Sequence, residues 1–152
     1  MRLIALSLVA LVAASAASAA GGQLVQTRST AIGTVLANKA GRTLYLRASD
    51  SKTKSTCYGS CALAWPPLLT TGKPLAGSGA SAKLLGTLKR SDGKLQVTYK
   101  GHPLYLYSGD GAKGEIYGQG MQKLWWAVAP SGAPNTTAAP AATIPDYGSG
   151  GY

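Results

Sequence analysis

GRTLYLRASD at residues 41–50 and GHPLYLYSGD at residues 101–110 are two copies of one segment. Gly41/Gly101, Leu44/Leu104, Tyr45/Tyr105, Leu46/Leu106 and Asp50/Asp110 are identical at a constant offset of 60. The similarity runs outward on both sides. Upstream, Val35-Leu36-Ala37 stands opposite Leu95-Gln96-Val97 at the same offset. Downstream, CYGSCALAW (57–65) matches IYGQGMQKLW (116–125), with Trp65 opposite Trp125 and one residue inserted between. The chain is a tandem duplication. Residues common to both copies build the unit, and residues present in one copy are additions to it.

The local periodicity is that of strands. Leu95, Val97 and Tyr99 alternate with Gln96, Thr98 and Lys100, which places the first set on one face. Asp92-Gly93 ahead of them is a hairpin signal, with 84–88 as the partner strand. Lys100-Gly101 is the next tight turn, matched by Ala40-Gly41 in the first copy. The one helical candidate is a turn or two at 60–64, ended by Pro66-Pro67. Many short strands with Gly and Pro turns predict an all-β domain. Two β-meander repeats would pack about a pseudo-two-fold axis as a sandwich or a small barrel.

The ends are different in kind. Arg2, the apolar run to Val12 and the small residues up to Ala19 predict a secretory signal peptide over 1–19, cleaved before Ala20. The run is too short for a spanning helix, which needs about 20 residues, and no other stretch predicts a transmembrane segment. The two-repeat domain is expected over 25–130, with repeat one at about 30–70 and repeat two at about 84–130. Residues 131–152 are rich in Pro, Ala, Thr, Gly and Ser and predict a disordered tail.

With 15 Lys and Arg against 5 Asp and Glu, the formal charge is +10. Such a charge attracts anionic polymers and membrane surfaces. No nucleic-acid motif accompanies it, so nucleic acid is not an expected partner. The eight Tyr and three Trp come without a single Phe. Rings with a polar handle suit half-exposed contact surfaces. Trp65 and Trp125 occupy matched repeat positions and read as core, whereas Trp126 is the candidate exposed platform.

Tyr45, Asp50, Tyr105 and Asp110 form the repeated signature. Leu44 and Leu46 share one face of their strand and Tyr45 takes the other. Asp50 comes where the strand runs out, where a carboxylate accepts backbone N–H bonds and fixes the turn. The functional alternative makes these four residues a binding site. Two isolated carboxylates are too few for a hard cation, and neither a metal nor another cofactor is expected. Cys57 and Cys61 are the only cysteines, and an oxidising compartment makes a disulfide the default. Their x3 spacing differs from the x2 of thioredoxin-type motifs, so redox or metal handling is the alternative. His102, the sole histidine, sits at a turn where the first copy has Arg42. A hydrolase built on it would lack a Gly-x-Ser-x-Gly elbow.

Tandem Tyr-x4-Asp, the intervening Cys-x3-Cys-Ala-x2-Trp-Pro-Pro-Leu (57–68) and Gly-Gln-Gly…Trp-Trp (118–126) together resemble the bacterial secreted-repeat family known for its Y-X4-D motif. The resemblance covers residues 30–130. It implies export and a two-repeat organisation, and no particular reaction. The chain lacks the lipobox cysteine of the family's predicted lipoproteins, so a secreted or periplasmic protein without a lipid anchor is expected. The expected function is a non-enzymatic domain binding an envelope component: a glycan, a cell-wall or other anionic polymer, or a protein.

Overall fold

The computed structural model describes residues 21–141. The signal-peptide expectation and residues 142–152 of the tail lie outside them. The described chain is all-β. Strand β1 (Leu24–Thr30) pairs with β2 (Gly33–Asn38), and the hairpin is extended by β4 (Leu75–Ala76), parallel to β1. A second sheet joins β5 (Leu85–Lys89), β6 (Leu95–Tyr99) and β7 (His102–Pro103), and a third pairs β3 (Tyr45–Arg47) with β8 (Trp125–Ala127). Helical structure among the described residues is α1 (Ser60–Ala64) and two 3-10 turns, Ala82–Leu84 and Met121–Lys123. The three sheets do not close into a barrel.

Turn chemistry sets the registers. Asp92 Oδ1 accepts the Lys94 N–H at 3.1 Å and Gly93 takes φ +82°, so the Asp-Gly signal sits at the β5–β6 loop. Lys100 and Gly101 both have positive φ, 50° and 81°, the mirror-image two-residue turn whose twist matches the strands it joins. The equivalent turn in the first copy has one more residue. There Asn38 N bonds Arg42 O, Gly41 N bonds Asn38 O, and Gly41 takes φ +80°. The extra residue corrects the constant offset. Leu44 N bonds Leu36 O as Leu104 N bonds Val97 O, so Leu36 is equivalent to Val97 and Val35 to Gln96.

The two repeats exchange their final strands, a detail that the expected pair of packed meanders left open. Leu36 N donates to Val128 O and Val128 N to Leu44 O. In the other half, Val97 N donates to Leu68 O and Leu68 N to Leu104 O. The Trp strand of each copy therefore completes the hairpin of the other. At the centre, Tyr45 N bonds Tyr105 O and Tyr105 N bonds Tyr45 O, both at 2.9 Å. A reciprocal pair between equivalent residues is what a two-fold axis through that point requires.

Both faces of the central strands are buried. Leu44, Leu46, Leu104, Leu36, Val97, Leu68 and Val128 enter an aliphatic cluster, whereas Tyr45, Tyr105, Trp65, Trp125, Val35 and Cys57 form an aromatic one. The polar face expected for β6 is covered too. Gln96 is 0 % exposed, held by Arg90 and Leu104 O, and Thr98 is buried, whereas Leu95 is exposed. Hydrogen bonding also runs on past the compositional boundary at 130. Asn135 N bonds Ala127 O, Asn135 Nδ2 bonds Ile32 O, and Gln119 Nε2 reaches the carbonyls of Asn135 and Thr137. Composition does not foresee this, since backbone groups and the side-chain amides of Asn135 and Gln119 hold the segment, not apolar burial.

Candidate functional site

Each Tyr-x4-Asp motif is completed by the other repeat. The Tyr45 hydroxyl donates to Asp110 Oδ2 at 2.6 Å, and the Tyr105 hydroxyl donates to Asp50. The second oxygens of the two carboxylates fix the turns after their own strands. Asp110 Oδ1 accepts Tyr117 N–H at 2.9 Å; Asp50 Oδ1 accepts Thr56 N–H at 2.9 Å and the Thr56 hydroxyl at 2.6 Å. Each aspartate thus ties its own loop to the opposite tyrosine. Burial, reinforced by the bonded carboxylate, pushes both phenols well above their usual range, so they remain protonated donors. Burial also lifts the Asp110 carboxyl, with Glu115 adding to it, while the bonds from Tyr45 and Tyr117 oppose the shift.

Between the two pairs lies an aromatic stack on the same pseudo-axis. Trp65 and Trp125, equivalent residues, stack with centroids 3.8 Å apart and planes 1° from parallel. Tyr45 meets Trp65 edge-on at 5.4 Å, and Tyr105 meets Trp125 edge-on at 5.1 Å. Gly118 makes room for this. A Cβ there would stand 2.7 Å from the Trp65 ring and 3.0 Å from Tyr45.

The symmetry breaks around Arg90. Its guanidinium, 3 % exposed, donates to Ser55 Oγ at 3.0 Å, Gln96 Oε1 at 2.7 Å and Cys57 O at 2.8 Å, and lies 4.3 Å over the Tyr58 ring. Asp92 Oδ2 accepts its Nε at 3.5 Å. Ser55 Oγ lies 2.6 Å from the Tyr105 hydroxyl. Because that hydroxyl donates to Asp50, Ser55 is the donor between them. The network holds the 55–61 loop, which the Cys57–Cys61 disulfide closes. The double substitution Cys57→Ser with Cys61→Ser should lower stability by about 2 kcal/mol, the loop-closure share of so short a ring. Urea denaturation of the oxidised protein and the double variant measures it.

Cationic side chains gather at both ends of the central strands. Around Gly41 stand the Arg28 guanidinium and the Lys113 stem, 2.9 and 3.1 Å from where a Cβ would sit. Around Gly101 the Lys52 stem occupies the equivalent place at 2.9 Å. His102, in the position of Arg42, is held below its usual range by burial and by Lys52 and Lys100, with Asp50 opposing. Among the described residues no group of three or more His, Cys, Asp or Glu side chains could hold a metal ion.

The structure thus brings Tyr45, Asp110, Tyr105 and Asp50 together in two crossed pairs. It leaves Trp126 apart, half-buried against the aliphatic cluster on the face opposite Trp125. Sequence reasoning missed Arg90, Ser55, Gln96, Lys52 and Lys113. The signal for Arg90 was its place beside an apolar strand with no basic residue at the matching position of the first copy. The lysines had a weaker one, each following a motif aspartate by two or three residues.

A family described as a secreted repeat of unknown function matches residues 26–69 and again 86–129, more than half of the chain. Comparison with curated proteins and with solved structures finds no match. Among the described residues, no helix is long and apolar enough to cross a membrane.

Proposed function

The chain belongs to the family of secreted repeats of unknown function, and from that premise we propose that it is a non-enzymatic domain that binds an anionic polymer of the cell envelope. Membership of a secreted family and the Cys57–Cys61 disulfide point to an extracellular location. We propose further that no lipid anchors it.

One observation carries the reading: the domain consumes its acids internally and leaves most of its cations without a carboxylate partner. Of the five acidic residues, Asp146 lies outside the described residues. Asp50 and Asp110 are taken by the crossed tyrosines and by backbone N–H groups. Asp92 caps its hairpin through Lys94 N–H, and Glu115 Oε2 accepts the N–H groups of Gly111 and Ala112 at 2.6 and 2.8 Å. Arg90 is the one basic residue of the described chain within ion-pair distance of a carboxylate. A surface so unbalanced attracts polyanions over a range set by salt. Tyr45, Asp50, Tyr105 and Asp110 enter this reading as the frame that positions the cationic loops. Trp126 stands apart from these loops, and the Cys57–Cys61 bridge is a staple for one of them.

The mature protein should bind isolated envelope polymers at an ionic strength of about 0.01 M and release them near 0.15 M, as the Debye length falls from about 30 to 8 Å. Co-sedimentation with the polymer across that salt series measures it. No retention at low salt contradicts the reading, and retention that salt does not weaken contradicts its electrostatic basis.

A further inference from the structure

We propose that the two ends of the central strand pair are matched anion-binding clusters, one of fixed charge and one that gains a further cation on acidification, bridged by an extended phosphate-bearing polymer. The proposal rests on the polyanion reading above and assigns it a place and a regulation.

The match follows from the strand exchange. The loop after Asp110 lays Lys113 over the Gly41 turn of the first repeat, and the loop after Asp50 lays Lys52 over the Gly101 turn of the second. In both places the missing side chain of glycine is what admits the lysine stem. Arg28 joins Lys113 at the first end, and Arg42 follows Gly41 with its Nη2 donating to Tyr107 O at 2.8 Å and its Nε buried and unbonded. Lys100 and His102 flank Gly101 at the second. Tyr45 and Tyr105 pair antiparallel, and each glycine precedes its tyrosine by four residues, so the clusters point to opposite ends of the ladder. At about 3.3 Å per residue they lie roughly 25 Å apart. A polymer that reaches both gains avidity, whereas a single phosphate engages one.

The ends differ in one chemical respect. Arg42 is charged at every relevant pH. His102 is half-buried and faced by Lys52 and Lys100, with Asp50 the one acid acting on it, so its imidazole is neutral near neutrality. Protonation adds a cation to the second cluster, and a bound phosphate favours that protonation by linkage. The binding free energy therefore grows as pH falls through the titration of His102; at the first end Asp110, lifted by burial and faced by Arg42 and Glu115, is the titrating group, and its contribution persists in a His102→Gln variant.

Long-chain polyphosphate is the probe, because its internal groups stay ionised across the range. Affinity of the mature protein, measured at fixed low ionic strength, should rise about two- to fivefold from pH 7.5 to 5.5, the range one exposed ion pair supplies. His102→Arg, which copies the first repeat, should bind tightly at both pH values, and His102→Gln weakly at both. Orthophosphate should bind far more weakly than the polymer. Polyphosphate binding that is salt-sensitive but equally pH-sensitive in His102→Gln, or pH-insensitive in the wild type, overturns this inference and leaves the polyanion reading standing. Equal affinity for orthophosphate and polymer overturns the bridging. No binding at low salt overturns both.

Discussion

Trp125→Ala is expected to lower the stability of the domain by about 3–5 kcal/mol, the usual cost of truncating a large buried ring. The ring is 1 % exposed, stacks on Trp65 at 3.8 Å, carries the edge of Tyr105 and has the Arg47 guanidinium 5.5 Å from its centre. It also sits on β8, the strand that the second repeat lends to the first. Loss of the ring therefore opens a void on the pseudo-axis and weakens the join between the copies. Domain stabilities are only about 5–15 kcal/mol, so the variant should stand near the limit of folding. Trp126→Ala, one residue on and half-buried, should cost clearly less. Urea midpoints of the two variants make the comparison, and equal losses would contradict the placement of Trp125 at the centre.

Arg90→Ala should be the next most damaging change, at about 2–5 kcal/mol. The guanidinium supplies donors to Gln96 Oε1, Cys57 O and Ser55 Oγ inside the protein. Stripping one donor from a buried acceptor costs about 1–3 kcal/mol. Arg90→Lys should recover little, since an ammonium lacks the fixed fork of donors with which the guanidinium reaches three acceptors. A second readout separates this role from general destabilisation. The 55–61 loop is tied down through Cys57 O, so the Cys57–Cys61 bridge should be reduced faster by a small thiol in Arg90→Ala than in the wild type under fully native conditions. An unchanged reduction rate would mean that the loop stands without Arg90.

Strand content was legible wherever a local rule governs it. Leu44 and Leu46 against Tyr45 separated the aliphatic core from the aromatic one, because side chains on a strand alternate. Asp92-Gly93 and Lys100-Gly101 announced their turns, and Pro66 marked the end of α1. The exchange of Trp strands was not legible, because an offset of 60 is the same whether Trp125 returns to its own hairpin or crosses to the other. The same silence hid the crossing of the tyrosines. Tyr45 is five residues from Asp50 in the chain, yet bonds Asp110. The alternation on β6 separated Gln96 and Thr98 from the apolar set, but it does not report that their face is buried too. Gln96 is buried at no polar cost, since its amide is met by Arg90 and by Leu104 O.

The crossing is the central structural claim, since it positions the loops that carry Lys52 and Lys113. A pair of double-mutant cycles tests it most directly. Tyr45→Phe combined with Asp110→Ala should be non-additive by about 0.5–3 kcal/mol, as expected for residues sharing a hydrogen bond. Tyr45→Phe combined with Asp50→Ala, the pair within one motif, should add to within about 0.5 kcal/mol. Coupling within the motif and additivity between the repeats would contradict the interlocked fold.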